Sequence, residues 1–355
     1  GTVTITDASA TSISASTLST IGSNTLGTVT ASNAIAISGT TAELTAALVT
    51  SSSLVVAGTS TLTFTDDPTG AELAAINPKT SGTITLADTS QAFTGTATEL
   101  AAAFDGFGTN ALSGAITISS GSISATELKT ISDATSGAIT LPSTNFTLSG
   151  SSSDLADALS GNFSNYAGNV TLTDAAPSAA NLAIINNNTS GTITLNDNAA
   201  TFSGTAADLS AAFSGGLVGT QSGDLTISDT TGTIAATTLT GITAQTDGAV
   251  GMASGGPTIQ GTTAQLTAAL VTGGTKITAA SANIDFTDNP TAAELSAINS
   301  ATSGNITLHD DSQTFSGTAA DVSGAFSGGL QNTQTGAVTI SDTSGTIAAT
   351  TLSGI

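Results

Sequence analysis

The chain has 355 residues, of which 3% are aromatic and 8% charged, so a single large globular core is excluded, while a hydrophobic share of 39% suits a thin core repeated many times. With 3 basic residues, Lys79, Lys129 and Lys276, against 25 acidic ones and a formal net charge of -22, recognition of nucleic acid is excluded and binding to an anionic membrane surface is disfavoured. Cysteine is absent, which leaves no disulfide framework and no thiolate metal site, and no apolar run of about 18 residues marks a membrane span.

In chain order, repeating units open at Gly1, Gly27, Ser60, Gly82, Gly114, Gly137, Gly168, Gly191, Gly223, Gly248, Ala282, Gly304 and Gly336. Two residues after each opening stands an apolar side chain, from Val3, Val29, Leu62 and Ile84 to Ile306 and Val338, and four residues after it another, from Ile5 and Ala31 to Leu308 and Ile340. Thr separates them in most units. This period-two alternation predicts a strand with one buried face. Six residues after each opening stands Asp, Asn or Ser, and such side chains accept from a backbone N–H two residues ahead and close a turn. Asp7, Asn33, Ser120, Ser143 and Ser254 belong to this set, together with Asp66, Asp88, Asp174, Asp197, Asp229, Asp288, Asp310 and Asp342.

A short helix follows. Its signature is an N-cap hydroxyl with an acid or amide three residues on: Thr69 with Glu72, Thr96 with Glu99, Ser124 with Glu127, Ser151 with Asp154, Thr205 with Asp208, Thr262 with Gln265, Thr291 with Glu294 and Thr318 with Asp321. Leu100 with Phe104 and Leu209 with Phe213 then form an i, i+4 stripe of about two turns, too short to stand alone. Between strand and helix some units carry a second short apolar piece such as "TFSG".

No unit can bury its apolar side unaided, so stacking is required. The fold class expected is a repeat solenoid: a parallel β-solenoid with short helices, built of about thirteen β/α coils of alternating ~23 and ~32 residues whose strands share one column and wind right-handed. Two coils make a ~55-residue repeat with bounds near 1–59, 60–113, 114–167, 168–222, 223–281, 282–335 and a partial 336–355, in one continuous solenoid over 1–355. The start at Gly1 and the stop at Ile355 inside a returning unit lead to the expectation of a longer array.

The phrases "TLTDAAPSAANLAIINNNTSGTITL", "FSGTAADLSAAFSG" and "VTISDTSGTIAATTLSGI" resemble the tandem repeats of very large secreted or cell-surface proteins of marine unicellular cyanobacteria and related aquatic bacteria, and similar wording spans nearly all of the chain. The resemblance implies an extracellular location and a structural, adhesive or motility-associated surface role. It carries over no catalytic residue. The GGxGxD phrase of calcium-binding RTX repeats is missing.

The sharpest candidate for chemistry is metal binding by Asp66, Asp88, Asp174, Asp197, Asp229, Asp288, Asp310 and Asp342, because stacked carboxylates repel and Ca2+ with oxygen ligands relieves them. The competing reading is that each only closes its turn, with no cofactor. An outward Thr column, including Thr171, Thr194 and Thr226, invites comparison with ice-binding solenoids, but β-branched residues suit strands without further purpose. His309, the lone histidine, reads as a surface residue, and the pairs Asp66 with Asp67 and Asp310 with Asp311 recur with the repeat rather than forming an acid–base site. Sequons at Asn145 and Asn169 carry little weight in a Ser/Thr-rich chain.

The expected function is that of a structural extracellular protein, not an enzyme, forming a rod, filament or surface-layer segment on a bacterial cell. The alternatives are an adhesin stalk, stabilised by calcium or not, that presents a binding domain, and an ice-binding solenoid. Expected partners are copies of itself, end to end or side by side, and cell-surface polysaccharide, with no nucleic acid and no membrane insertion.

Overall fold

The computed structural model describes residues 1–119, 123–142, 146–162, 166–253, 256–272, 276–279 and 281–352. Ser120, Ser143, Ser254 and Asn145 lie outside the described residues. The chain divides into two compact units, one of Gly1–Thr171 with Asn188–Gly191 and the other of Leu172–Asn187 with Thr192–Ile355.

The first unit runs β1 (Val3–Ile5), β2 (Ser12–Ser14), α1 (Ala15–Ser23), β3 (Val29–Ala31), β4 (Ala36–Gly39), α2 (Thr41–Leu48), β5 (Val55–Val56), β6 (Thr61–Phe64), α3 (Gly70–Ile76), β7 (Ile84–Thr85), β8 (Phe93–Gly95), α4 (Ala97–Phe104), β9 (Ile116–Ile118), α5 (Ala125–Ala134), β10 (Ile139–Thr140), β11 (Leu148–Gly150) and α6 (Ser152–Leu159). β12 (Val170–Leu172) and α7 (Ala179–Asn188) come next. The second unit continues with β13 (Ile193–Thr194), β14 (Phe202–Gly204), α8 (Ala206–Ala212), β15 (Leu225–Ile227), β16 (Thr233–Ala235), α9 (Ala236–Thr243), β17 (Val250–Met252), β18 (Thr258–Gly261), α10 (Thr263–Leu270), β19 (Ile277–Thr278), β20 (Asn283–Phe286), α11 (Ala292–Asn299), β21 (Ile306–Thr307), β22 (Phe315–Gly317), α12 (Ala319–Ala325), β23 (Val338–Ile340) and α13 (Ala349–Leu352).

Strands and helices alternate throughout, and the strand pairs are parallel, as expected for an α/β repeat. The sheets, however, are small and separate. In the first unit they have the orders β1-β3-β5, β2-β4-β6-β7 and β8-β9-β10, and in the second β14-β15-β17-β19, β16-β18-β20-β21 and β22-β23. A single column of all opening strands does not form. Val29 pairs with Val55 instead of Leu62, Leu62 with Ile37, Ile116 with Phe93, Leu225 with Phe202, and Val338 with Phe315.

The same register corrects the coil length. Paired strands lie 22 to 27 residues apart, as in Leu62 with Ile84 and Val250 with Ile277, and helices start every 26 to 30 residues among those described. The apparent ~32-residue step is a ~23-residue coil plus a hop of nine residues from one strand to the next, Ile84 to Phe93, Ile193 to Phe202 and Ile306 to Phe315. The "TFSG" pieces are therefore full strands that take the next coil's opening strand as neighbour. Periodicity could not reveal this, because both strands of a coil show the same two-residue alternation.

Splitting the column also splits the Thr ladder. Thr226 lies between Ser203 and Gly251, so a single continuous Thr column is absent.

The predicted apolar positions do line the core: Leu62, Phe64, Ile116, Ile118, Leu225, Ile227, Ile284 and Phe286 are buried. Val338, on a strand paired from one side only, is 39% exposed. In three coils the strand Phe meets the Phe at the end of the following helix edge to face, Phe93 with Phe104 at 5.1 Å, Phe202 with Phe213 at 5.3 Å and Phe315 with Phe326 at 5.4 Å. Such pairs contribute roughly 0.5–1.5 kcal/mol beyond their buried area.

Helix starts follow the capping rule closely. Reciprocal boxes form at Thr69, Thr96, Ser124, Thr262 and Thr291, and at Thr40 with Glu43, a pair absent from the predicted set. At Thr205 and Thr318 the N3 residue is Asp, one methylene shorter than Glu. There the carboxylate accepts from the cap hydroxyl at 2.9 and 2.8 Å.

Candidate functional site

Three polar seams join one coil to the next. The first uses the aspartates. Asp66 Oδ1 accepts from Thr41 N–H and Thr41 Oγ1, both at 2.7 Å, and Asp288 Oδ1 accepts from Thr263 N–H at 2.6 Å and Thr263 Oγ1 at 2.7 Å. Asp229 and Asp342 accept from Ala206 N–H at 2.7 Å and Ala319 N–H at 2.6 Å. These four residues thus cap the helix of the preceding coil, where an anion opposes the positive end of the helix dipole. This corrects the turn-closing role expected of them.

The turn role holds at three others. Asp88 accepts from Ser90 N–H at 2.7 Å and Ser90 Oγ at 2.6 Å, Asp197 from Ala199 N–H at 2.8 Å, and Asp310 from Ser312 N–H at 2.8 Å and Ser312 Oγ at 2.7 Å. The Ser90 hydroxyl and amide lower the Asp88 pKa, as the Ser312 hydroxyl and amide lower that of Asp310, with a small addition from neighbouring His309. Asp174 is half-buried and engaged with its surroundings. Asp66 and Asp88 each stand four residues past the paired Leu62 and Ile84, and Asp288 and Asp310 four past the paired Ile284 and Ile306. Among the described residues no group of three or more His, Asp or Glu side chains is placed to hold a metal ion.

The second seam is formed by asparagines that periodicity alone did not single out. Asn77 Nδ2 donates to Ala102 O, Ala103 O and Asp105 O at 2.9, 3.1 and 2.8 Å. Asn186 reaches Ala211 O at 2.7 Å, and Asn299 reaches Gly324 O at 2.9 Å. Each side chain closes the C-terminal carbonyls of the next coil's helix. Helices α8 and α12 are thereby held at both ends from adjacent coils, α8 by Asp229 and Asn186, α12 by Asp342 and Asn299. The legible signal was an Asn just after an apolar pair, as in "AIN" and "IIN".

The third seam lies at the unit openings. Thr135 Oγ1 donates to Gly114 O at 3.0 Å while accepting from Gly137 N–H at 2.9 Å, and Thr302 repeats this with Ala282 O at 2.6 Å and Gly304 N–H at 2.9 Å. Both Thr side chains are buried. Their Thr-Ser-Gly wording is visible in the sequence, where its glycine marks a unit opening. The glycine is required by contact: a Cβ on Gly137 would lie 2.1 Å from Gly114 O, and one on Gly114 would lie 1.8 Å from Gln91 O.

Charged pairs are few. Lys129 bridges Asp133 at 2.8 Å and Asp157 at 3.0 Å, and hydrogen bonds to these two carboxylates raise its pKa. Lys276 meets Asp247 at 3.1 Å. Burial pushes the pKa of Tyr166, whose hydroxyl donates to Phe146 O, up to about 12. His309 is exposed, and Asp311 accepts from Asn332 at 2.7 Å. Among the described residues no helix is long and apolar enough to cross a membrane.

No protein-family profile, curated protein or solved structure matches the chain.

Proposed function

We propose that the coils continue as one solenoid and that the protein is a structural extracellular component, a rod, filament or surface-layer segment on a bacterial cell. The observation that carries this reading is where the polar side chains are used: Asp288, Asn299 and Thr302 all join one coil to another. Such stitching stabilises nearest neighbours, the arrangement a repeat array needs to bear load along its length. The wording shared with large bacterial surface proteins supports the same location, and scarce Lys with no Arg leaves few sites for trypsin-like proteases.

Self-association end to end or side by side is the mode of assembly proposed, with calcium a structural aid at most. Electron microscopy of native material tests the reading: filaments or sheets are expected, and discrete compact particles would refute it.

A further inference from the structure

After α4, α8 and α12 the chain passes through loops of equal length, 105–112, 214–221 and 327–334. In the latter two the wording is Ser-Gly-Gly-Leu, with Gly216 at φ 78° and Gly329 at φ 79°. The segment that follows lies along the free edge of the strand opening that coil. Ile193 N–H donates to Gly216 O at 2.6 Å and Val218 N–H to Ile193 O at 2.8 Å; Ile306 N–H donates to Gly329 O at 2.6 Å and Gln331 N–H to Ile306 O at 3.0 Å. Leu217 and Leu330 form parallel bridges with Ile193 and Ile306, whose side chains are fully buried.

The loop after α4 reads Asp105-Gly106-Phe107-Gly108 instead. Phe107 stands where the other two loops place a glycine at positive φ, a conformation that a bulky side chain disfavours. The chain turns one residue earlier, at Gly106 with φ 80°, and Phe107 N–H closes back on Phe104 O at 2.9 Å. Asn110 N–H then leads away to Asp133 O at 2.7 Å. Among the described residues no segment lies on the outer edge of β7, the last strand of its sheet, and Ile84 stays half-buried. A cleft of about 560 Å³ occupies the place, walled by Pro78, Ile84, Ala102, Asp105 and Phe107. The corresponding cleft beside Gly304 and Gly329 measures about 290 Å³.

We propose that this edge takes an extended polypeptide of Gly-Gly-Leu type from another protein by parallel strand addition. The two equivalent coils show the occupant: one backbone N–H and one C=O of the Ile are paired, and a Leu covers it. Here Ile84 presents the same two groups, and Pro78 and Phe107 supply an apolar wall. Backbone pairing gives such an edge its affinity and the side-chain pocket its selectivity.

The test is titration of the intact chain with a synthetic peptide of residues 214–220, Ser-Gly-Gly-Leu-Val-Gly-Thr, read by amide hydrogen exchange. Saturable binding in the low millimolar range or tighter is expected, with exchange at the Ile84 amide slowed at least tenfold. A triple variant Asp105→Ser, Phe107→Gly, Gly108→Leu, which rebuilds the internal occupant, should bind at least tenfold more weakly. Absence of protection at Ile84 in the native chain would overturn the proposal even if the graft failed to fold, as would equal binding by a folded graft or a preference for soluble oligosaccharides over the peptide.

Discussion

Replacing Asp288 by alanine removes the carboxylate that accepts from Thr263 N–H at 2.6 Å and Thr263 Oγ1 at 2.7 Å across a coil boundary. Hydrogen bonds to a charged acceptor contribute ~1.5–3 kcal/mol and a helix cap ~1 kcal/mol. Thr263 is 6% exposed, so little water can replace the lost acceptor. Because Asp288 is half-buried and both bonds belong to one capping unit, the loss is about 2 kcal/mol rather than the sum. In a chain stabilised between neighbours the effect stays local. Amide exchange in α10 and α11 should accelerate about thirtyfold, the kinetic equivalent of that energy, while α1 and α2 remain as in the native protein. Asp288→Asn, which keeps an acceptor, should restore part of the protection. Asp88→Ala is the control, since that carboxylate serves only its own exposed turn. Unchanged exchange at α10, or acceleration spread evenly over both units, would refute the inter-coil role of Asp288.

Gly137→Ala sets a Cβ 2.1 Å from Gly114 O, and overpacking of this kind should lower stability in a urea melt by about 1–3 kcal/mol. Tyr166, the single tyrosine, should titrate near its raised pKa of about 12 in the ultraviolet phenolate band. Since the unfolded residue ionises near pH 10, the stability from its burial is present below that and lost as pH rises toward the folded value. Acid should act in the opposite sense. Asp88 and Asp310, held by serine hydroxyls and amides, and Glu99, held by the Thr96 amide and hydroxyl, are depressed, so their contribution is complete above the unfolded values near pH 4 and lost below. Melting at successive pH values checks the sign, and stability that rises as pH drops below about 4 would contradict it. Calcium and a chelator should leave the melting midpoint unchanged, whereas a calcium-dependent rise would favour cation binding by the aspartates over their helix-capping and turn-closing roles alone.

Much of the local structure was legible because its causes are local. Alternation at Ile116 and Ile118 marks a strand, and Thr96 with Glu99 marks a helix start through bonds spanning three residues. The candidate site was less accessible. Asp66 and Asp88 occupy the same position in their units, yet one caps a helix 25 residues earlier and the other closes its own turn. Position within the unit does not separate them; the Thr-Ser-Gly opening shared by the units of Asp88, Asp197 and Asp310 does, but what it means, whether a helix N-terminus of the preceding coil lies within reach, is decided only in the folded chain.

By itself the sequence determined that the chain is a repeat of short parallel strands and capped helices with small-residue cores, because alternation, caps and composition act over a few residues. Only tertiary structure decided which strand neighbours which. Phe202 and Ile193 both present a two-residue alternation to Leu225, and the choice of Phe202 follows from how a coil of ~23 residues closes in space. Phe107 shows the same division: its departure from Gly-Gly-Leu is written in the chain, but that the loop turns at Gly106 and leaves the edge at Ile84 open is visible only in the folded structure.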